Sequence, residues 1–254
     1  MINREVALNA FKEYVTKYNP DDEKIRLKIE HIQRVAEIAN NIANDLKLSQ
    51  EDIDLAWLIG LLHDIGRFEQ IRLYHTFNDG KSVNHAEMGI KILFENGMIR
   101  KFIEDKQYDE IIKIAILNHN RPAIETGLTE RQLLHSKIIR DADKIDILYA
   151  ASEKLLTPKA LDLTKAKEDI RESIKQEFYK EKTIKTSSLT GKKTESEKIL
   201  SYLALVFDLN YKFSADYILE HKIIDNFYNN LKDKEKYKEY FEHINKYLKE
   251  MITC

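Results

Sequence analysis

The chain has 254 residues, 43% of them hydrophobic and 33% charged, and its 41 basic and 43 acidic residues leave a formal net charge of −2. That length suffices for one large domain or a domain with an appendage, and the balanced charge excludes a global field of the kind that holds a nucleic-acid backbone. Only 7 glycines and 3 prolines punctuate it, which favours long helices over many short strands.

The N-terminal segment MINREVALNAFKEYVTKYNP carries charges throughout and lacks the apolar block of a secretory signal. From Ile25 to Leu46 the residues Ile25, Ile29, Ile32, Ile38, Ile42 and Leu46 recur at helical spacing. His31 falls on the neighbouring row with Leu27, Val35, Ile38 and Ile42, so its ring is expected to face inward. Ser49 with Asp52 resembles a capping box, and the nearly continuous apolar run Ile53 to Leu62 predicts a helix buried on most sides, closed by His63 and Asp64. Gly66 reads as the end of that helix, and a polar loop containing Asn78-Asp79-Gly80 is expected from Arg67 to Ser82.

Asn84 caps a third predicted helix that begins at His85 and carries the small residues Ala86 and Gly89, which would allow close packing. Asp109 opens a fourth, with Ile112, Ala115, Ile116 and His119 on one face, and Pro122 stops it near Asn120. Thr129 with Gln132 caps a long helix through Ile147 that contains Asp141, Asp143 and Asp146. After Thr157 the sequence turns to Lys, Glu, Thr and Ser, with an exposed loop expected at Ser187 to Thr194. This suggests a helical domain over residues 1–156 and a C-terminal helical extension over 157–254, packed on the first or part of it. Apolar periodicity returns in Ile199 to Phe207, Tyr217 to Phe227 and Tyr237 to Met251. There is no internal repeat and no convincing strand pattern.

The most apolar runs, Leu55 to Leu62 and Ile199 to Phe207, are far shorter than the about 20 residues that span a bilayer, so no membrane partner is expected. The single cysteine, Cys254, forms no intrachain disulfide and fits a reducing compartment, so a cytoplasmic location is expected.

Imidazole and carboxylate together suit Mn, Fe, Co, Ni or Zn. A lone inward histidine is more often a hydrogen-bonded core residue, and His135, His221 and His243 take that reading. His31, His63, Asp64, His85, His119 and the later aspartates form a set whose burial without a cation would cost several kcal/mol. Adjacent His63 and Asp64 lie about 100° apart around a helix axis, so both reach one centre only near a helix end. Periodicity leaves Asp141 and Asp143 equal, since Asp141 shares rows with Ile138 and Ile145, and Asp143 with Ile139 and Ile147. His75 stands in the expected polar loop, where it could meet a substrate or simply be solvated. No Gly-x-Ser-x-Gly element or phosphate-cradling glycine loop is present.

The order His31, His63-Asp64, Asp143, with His31-Ile-Gln-Arg34-Val35, Leu61-Leu-His63-Asp64-Ile-Gly66 and Ala142-Asp143-Lys144-Ile-Asp146, resembles the HD-domain superfamily of metal-dependent phosphohydrolases over roughly residues 25–150. The resemblance implies an all-α helical bundle and hydrolysis of a phosphate ester in a small phosphorylated or nucleotide substrate. Members with two further histidines between the second and last motifs hold two ions, and His85 and His119 occupy those places. The implied assignment has Asp64 bridging two divalent ions, His31, His63 and Asp143 completing one site, and His85 and His119 the other. Two cations about 3.5–4 Å apart can share a hydroxide and stabilise the phosphoryl oxygens. Arg67 stands where phosphodiesterase-like members carry a phosphate-contacting lysine, and Arg34 is a second candidate clamp. Both could equally be solvated surface arginines.

The Gly-Tyr-Pro element of the cyclic-dinucleotide branch is absent after His119, and Arg67-Phe68 replaces the Glu-Asp pair of guanosine-tetraphosphate hydrolases. Both substrates are therefore set aside. The alternative from another class is a nucleotide-sensing module that keeps the metal site without turnover.

Overall fold

The computed structural model describes residues 2–157, 159–184 and 192–253, and every regular element among them is helical. The contacts divide the chain into two compact units, Met1–Asp143 and Lys144–Cys254, and the division falls inside one long helix rather than at the change of composition after Thr157.

The first unit contains α1 (Arg4–Val15), α2 (Glu23–Asp45), α3 (Gln50–Leu62), α4 (Gly66–Tyr74), α5 (His85–Ile90), α6 (Asp109–His119) and the start of α7 (Glu130–Ser152). Helix α1 buries Ala7, Ala10, Phe11 and Tyr14, a three-to-four spacing that marks it as amphipathic. α2 begins where Asp22 accepts from the backbone N–H of Lys24, and it buries His31 among Ile32, Val35, Ile38 and Ile42. α3 is buried along its whole length from Ile53 to Leu62, as the apolar run predicts. It crosses α2 closely: a Cβ on Gly60 would lie 2.6 Å from the Ala36 Cα.

The loop expected from Arg67 to Ser82 is a helix for half its length. Gly66 does not end a helix; it opens α4, which buries Phe68, Gln70 and Ile71. Its φ is ordinary, and glycine is needed there for space, because a Cβ would meet the His85 carbonyl oxygen at 2.1 Å and the Gly89 nitrogen at 2.6 Å. The close packing expected of Ala86 and Gly89 is thus made against Gly66. Irregular chain starts only at His75, which is exposed and closes α4 in the left-handed conformation. Asn84 then caps α5 through Ala86, and α5 runs into a single wide turn over Lys91–Glu95. α6 has the predicted bounds, and the Thr129–Gln132 box is made in both directions, at 2.9 and 3.3 Å.

The second unit contains the rest of α7, then α8 (Glu172–Phe178), α9 (Glu195–Leu203), α10 (Lys212–Glu220), α11 (Ile223–Asn229) and α12 (Lys238–Thr253). α8 lies in the stretch that reads as merely polar, and it buries Ile174 and Phe178. The predicted run Tyr217 to Phe227 is broken at Lys222, whose φ of 52° separates α10 from α11. Of the expected loop Ser187 to Thr194, residues 187–191 lie outside the described residues.

Candidate metal centre

The six His and Asp residues expected as ligands come together in the first unit. α3 ends at Leu62, and a tight turn carries the chain into α4: the N–H of Ile65 donates to Leu62 at 3.1 Å and that of Arg67 to Asp64 at 2.9 Å. In that turn His63 Nε2 lies 3.7 Å from Asp64 Oδ2. Tyr14 supports the turn by donating its hydroxyl to the Ile65 carbonyl at 3.2 Å.

The two oxygens of Asp64 face different groups. Oδ2 lies 2.6 Å from Lys28 Nζ, 3.4 Å from His31 Nε2 and 3.7 Å from His63 Nε2. Oδ1 lies 3.2 Å from His85 Nε2, 3.4 Å from Arg67 Nε and 3.8 Å from His119 Nε2. Asp143 joins the first group, with its Oδ1 3.2 Å from His31 Nε2 and 3.7 Å from His63 Nε2. Three triads have ligand atoms that all lie within 4.8 Å of one another: His31, His63 and Asp64; His63, His119 and Asp143; and Asp64, His85 and His119. Asp143 rather than Asp141 is thus the aspartate in the cluster, which periodicity alone could not decide.

Hydrogen bonds on the far side of each ring orient three of the histidines. His63 Nδ1 lies 2.8 Å from the Gly60 carbonyl, His119 Nδ1 2.6 Å from that of Ile116, and His85 Nδ1 2.6 Å from Asp79 Oδ2. With Nδ1 as donor, each Nε2 turns a lone pair into the cluster, the tautomer a metal requires. Burial lowers the pKa of His85 against the pull of Asp79 and Asp64, and burial with His85 and His63 beside it takes His119 down to about 3. Both rings are therefore neutral at pH 7. Their Nε2 atoms stand 2.9 Å apart, close enough for both to be turned on one ion.

Burial would raise the Asp64 carboxyl, but Lys28, His63 and Arg67 together hold it well below the usual carboxylate range; His31 and His63 do the same for half-buried Asp143. The buried atoms His63 Nε2 and Asp64 Oδ1 have no hydrogen-bond partner. Two ionised carboxylates, the neutral imidazoles of His85 and His119 and orphaned inward atoms in one cluster fit a divalent transition metal.

Around this cluster, Arg67 is fixed rather than solvated: its Nη1 donates to Gln70, the Phe77 carbonyl and Asp79 at 2.8, 2.6 and 2.9 Å. Arg34 is half-buried, with Nη1 3.9 Å from Glu30. His135 is a core histidine as expected, its Nε2 3.0 Å from Asp52. Two contributors went unread in the sequence. Lys28 precedes His31 by three residues, a spacing that puts both on one helix face and could have revealed it. Asp79 sits in Asn-Asp-Gly, which signals only a turn.

No curated protein and no solved structure matches the chain. The family model of the HD domain matches residues 29–148, a span that holds all six clustered His and Asp residues. Residues 29–148 thus form an HD domain, a domain found mostly in metal-dependent hydrolases.

Proposed function

We propose that the chain is a hydrolase that cleaves a phosphomonoester or phosphodiester bond in a small, nucleotide-like substrate, using two divalent ions of Mn, Fe, Co, Ni or Zn that share Asp64. The observation that carries this reading is the opposed facing of the two Asp64 oxygens, one toward His31 and His63, which Asp143 also approaches, the other toward His85 and His119. In this reading each set completes the ligands of one ion. Divalent ions there would polarise phosphoryl oxygens and lower the pKa of a water toward ~7.

The chain supplies the rest. Burial keeps His85 and His119 neutral and able to donate lone pairs, and the bonds on Nδ1 fix the orientation of His63, His85 and His119. Arg67 is the principal phosphate clamp: its bonds to Phe77 and Asp79 hold the guanidinium beside Asp64, so little side-chain freedom is lost on binding an anion. Lys28, 19% exposed and against Asp64, is a second cation within reach of the same anion, and Arg34 is a third on the same helix.

The test is a panel of a generic phosphomonoester, a generic phosphodiester, nucleotides and cyclic dinucleotides, assayed with each of the five metals. Metal-dependent turnover of one ester class is expected, with cyclic dinucleotides inert. Purified protein without bound transition metal and without metal-stimulated turnover on any substrate would overturn the proposal. Tight nucleotide binding without product would instead favour a sensing module.

A further inference from the structure

An imidazole that offers Nε2 to a cation needs its Nδ1–H accepted elsewhere, and the chain meets this need in two ways. His63 and His119 use carbonyl oxygens three residues back in their own helices, Gly60 and Ile116. His85 opens α5 and has no helical turn behind it. Its Nδ1 donates instead to a carboxylate from the loop, Asp79 Oδ2, at 2.6 Å.

Asp79 gathers the neighbouring groups as well. Its Oδ1 accepts from Arg67 Nη1 at 2.9 Å and Gln70 Nε2 at 2.8 Å, and Asn120 Nδ2, next in sequence to His119, lies 3.4 Å from Oδ2. A backbone carbonyl only orients an imidazole, whereas a carboxylate also adds negative charge and raises the basicity of the ring. The His85 side of Asp64 therefore has a charged support where His63 and His119 have neutral ones.

We infer that Asp79 is the positioning residue of the His85/His119 half of the centre, acting through His85 to set how tightly the ion on that side is held while leaving the His31/His63/Asp143 half unchanged. The inference rests on the two-ion reading above.

The experiment is a Co(II) titration of metal-free wild type, Asp79→Ala and Asp79→Asn, followed by cobalt absorption and by metal content after desalting. Wild type is expected to take up two equivalents. In Asp79→Ala the first should bind within about twofold of wild type and the second about 10–100-fold more weakly; Asp79→Asn, which keeps an acceptor but no charge, should fall between. Unchanged binding of both ions in Asp79→Ala overturns the inference. Equal weakening of both does so too, because that is what a merely structural role for the loop would give. A wild type that stops at one equivalent overturns the two-ion reading, and the inference with it, without recourse to the variants. Helical content is measured first; should Asp79→Ala lose it, Asp79→Asn carries the same comparison.

Discussion

Asp64 concentrates the chemistry of the site because its two oxygens serve different neighbours, with Lys28 at 2.6 Å on one and His85 at 3.2 Å on the other. Deleting a residue on one side and deleting the shared residue should therefore differ in kind. Asp64→Ala is expected to lose both ions and to reduce turnover to that of the uncatalysed control, whereas His85→Ala should retain about one ion per chain. Far-UV circular dichroism should be near wild type in both, since neither side chain contributes to the apolar core; elemental analysis reads the difference. Two ions retained in Asp64→Ala would refute the shared-carboxylate arrangement. The clustered His and Asp residues were legible in the sequence because polar residues on inward helix rows stand out, as His31 does between Leu27 and Val35, and because their order resembles the HD-domain pattern, which alone favoured Asp143 over Asp141. Asp79 was not, because its role arises from contacts between segments: Arg67 and Gln70 on α4, His85 on α5 and Asn120 after α6.

At the scale of elements, the strongest constraint is the approach of α4 to α5, where Gly66 and Gly89 let two backbones touch. A methyl on Gly66 has backbone atoms at 2.1 and 2.6 Å and no flexible side chain to displace. Gly66→Ala should thus part the two helices, destabilise the protein by about 1–3 kcal/mol or more, and move His85 away from Asp64. Loss of metal affinity together with a lower unfolding midpoint is the expected pair of observations; a variant with wild-type stability would contradict the close packing. The helices themselves were largely readable, α3 from its apolar run and α6 from its bounds at Asp109 and Pro122. α4 was hidden because glycine ordinarily marks a helix end, and here it marks a contact whose partner lies in a later helix. Glycine at a φ any residue adopts leaves no local signal of that kind.

For the whole molecule, all six clustered residues lie in the unit Met1–Asp143, so acid sensitivity that originates in the other unit can be separated from the titration of the centre. The second unit has a suitable group in Glu197. Its side chain is fully buried at the start of α9, accepts from the Thr194 N–H at 3.0 Å, and takes both the Nε and Nη2 of Arg171 at 2.6 and 2.7 Å. The bond from Arg171 is the main cause that lowers its pKa from 4.5 to about 2. A carboxyl depressed in this way binds its proton more readily in the unfolded chain, so its contribution to stability is complete above pH 4.5 and is lost as pH falls toward 2. Glu197→Gln keeps a residue able to close the capping box with Thr194 but removes the charge facing Arg171. Its unfolding midpoint should lie roughly 5 °C below wild type at neutral pH, and the gap should narrow steadily between pH 4.5 and 2. Thermal unfolding of both proteins across that range decides the matter: a gap that stays constant with pH would show that the variant acts through packing, and no gap at neutral pH would show that the Arg171 pair contributes nothing.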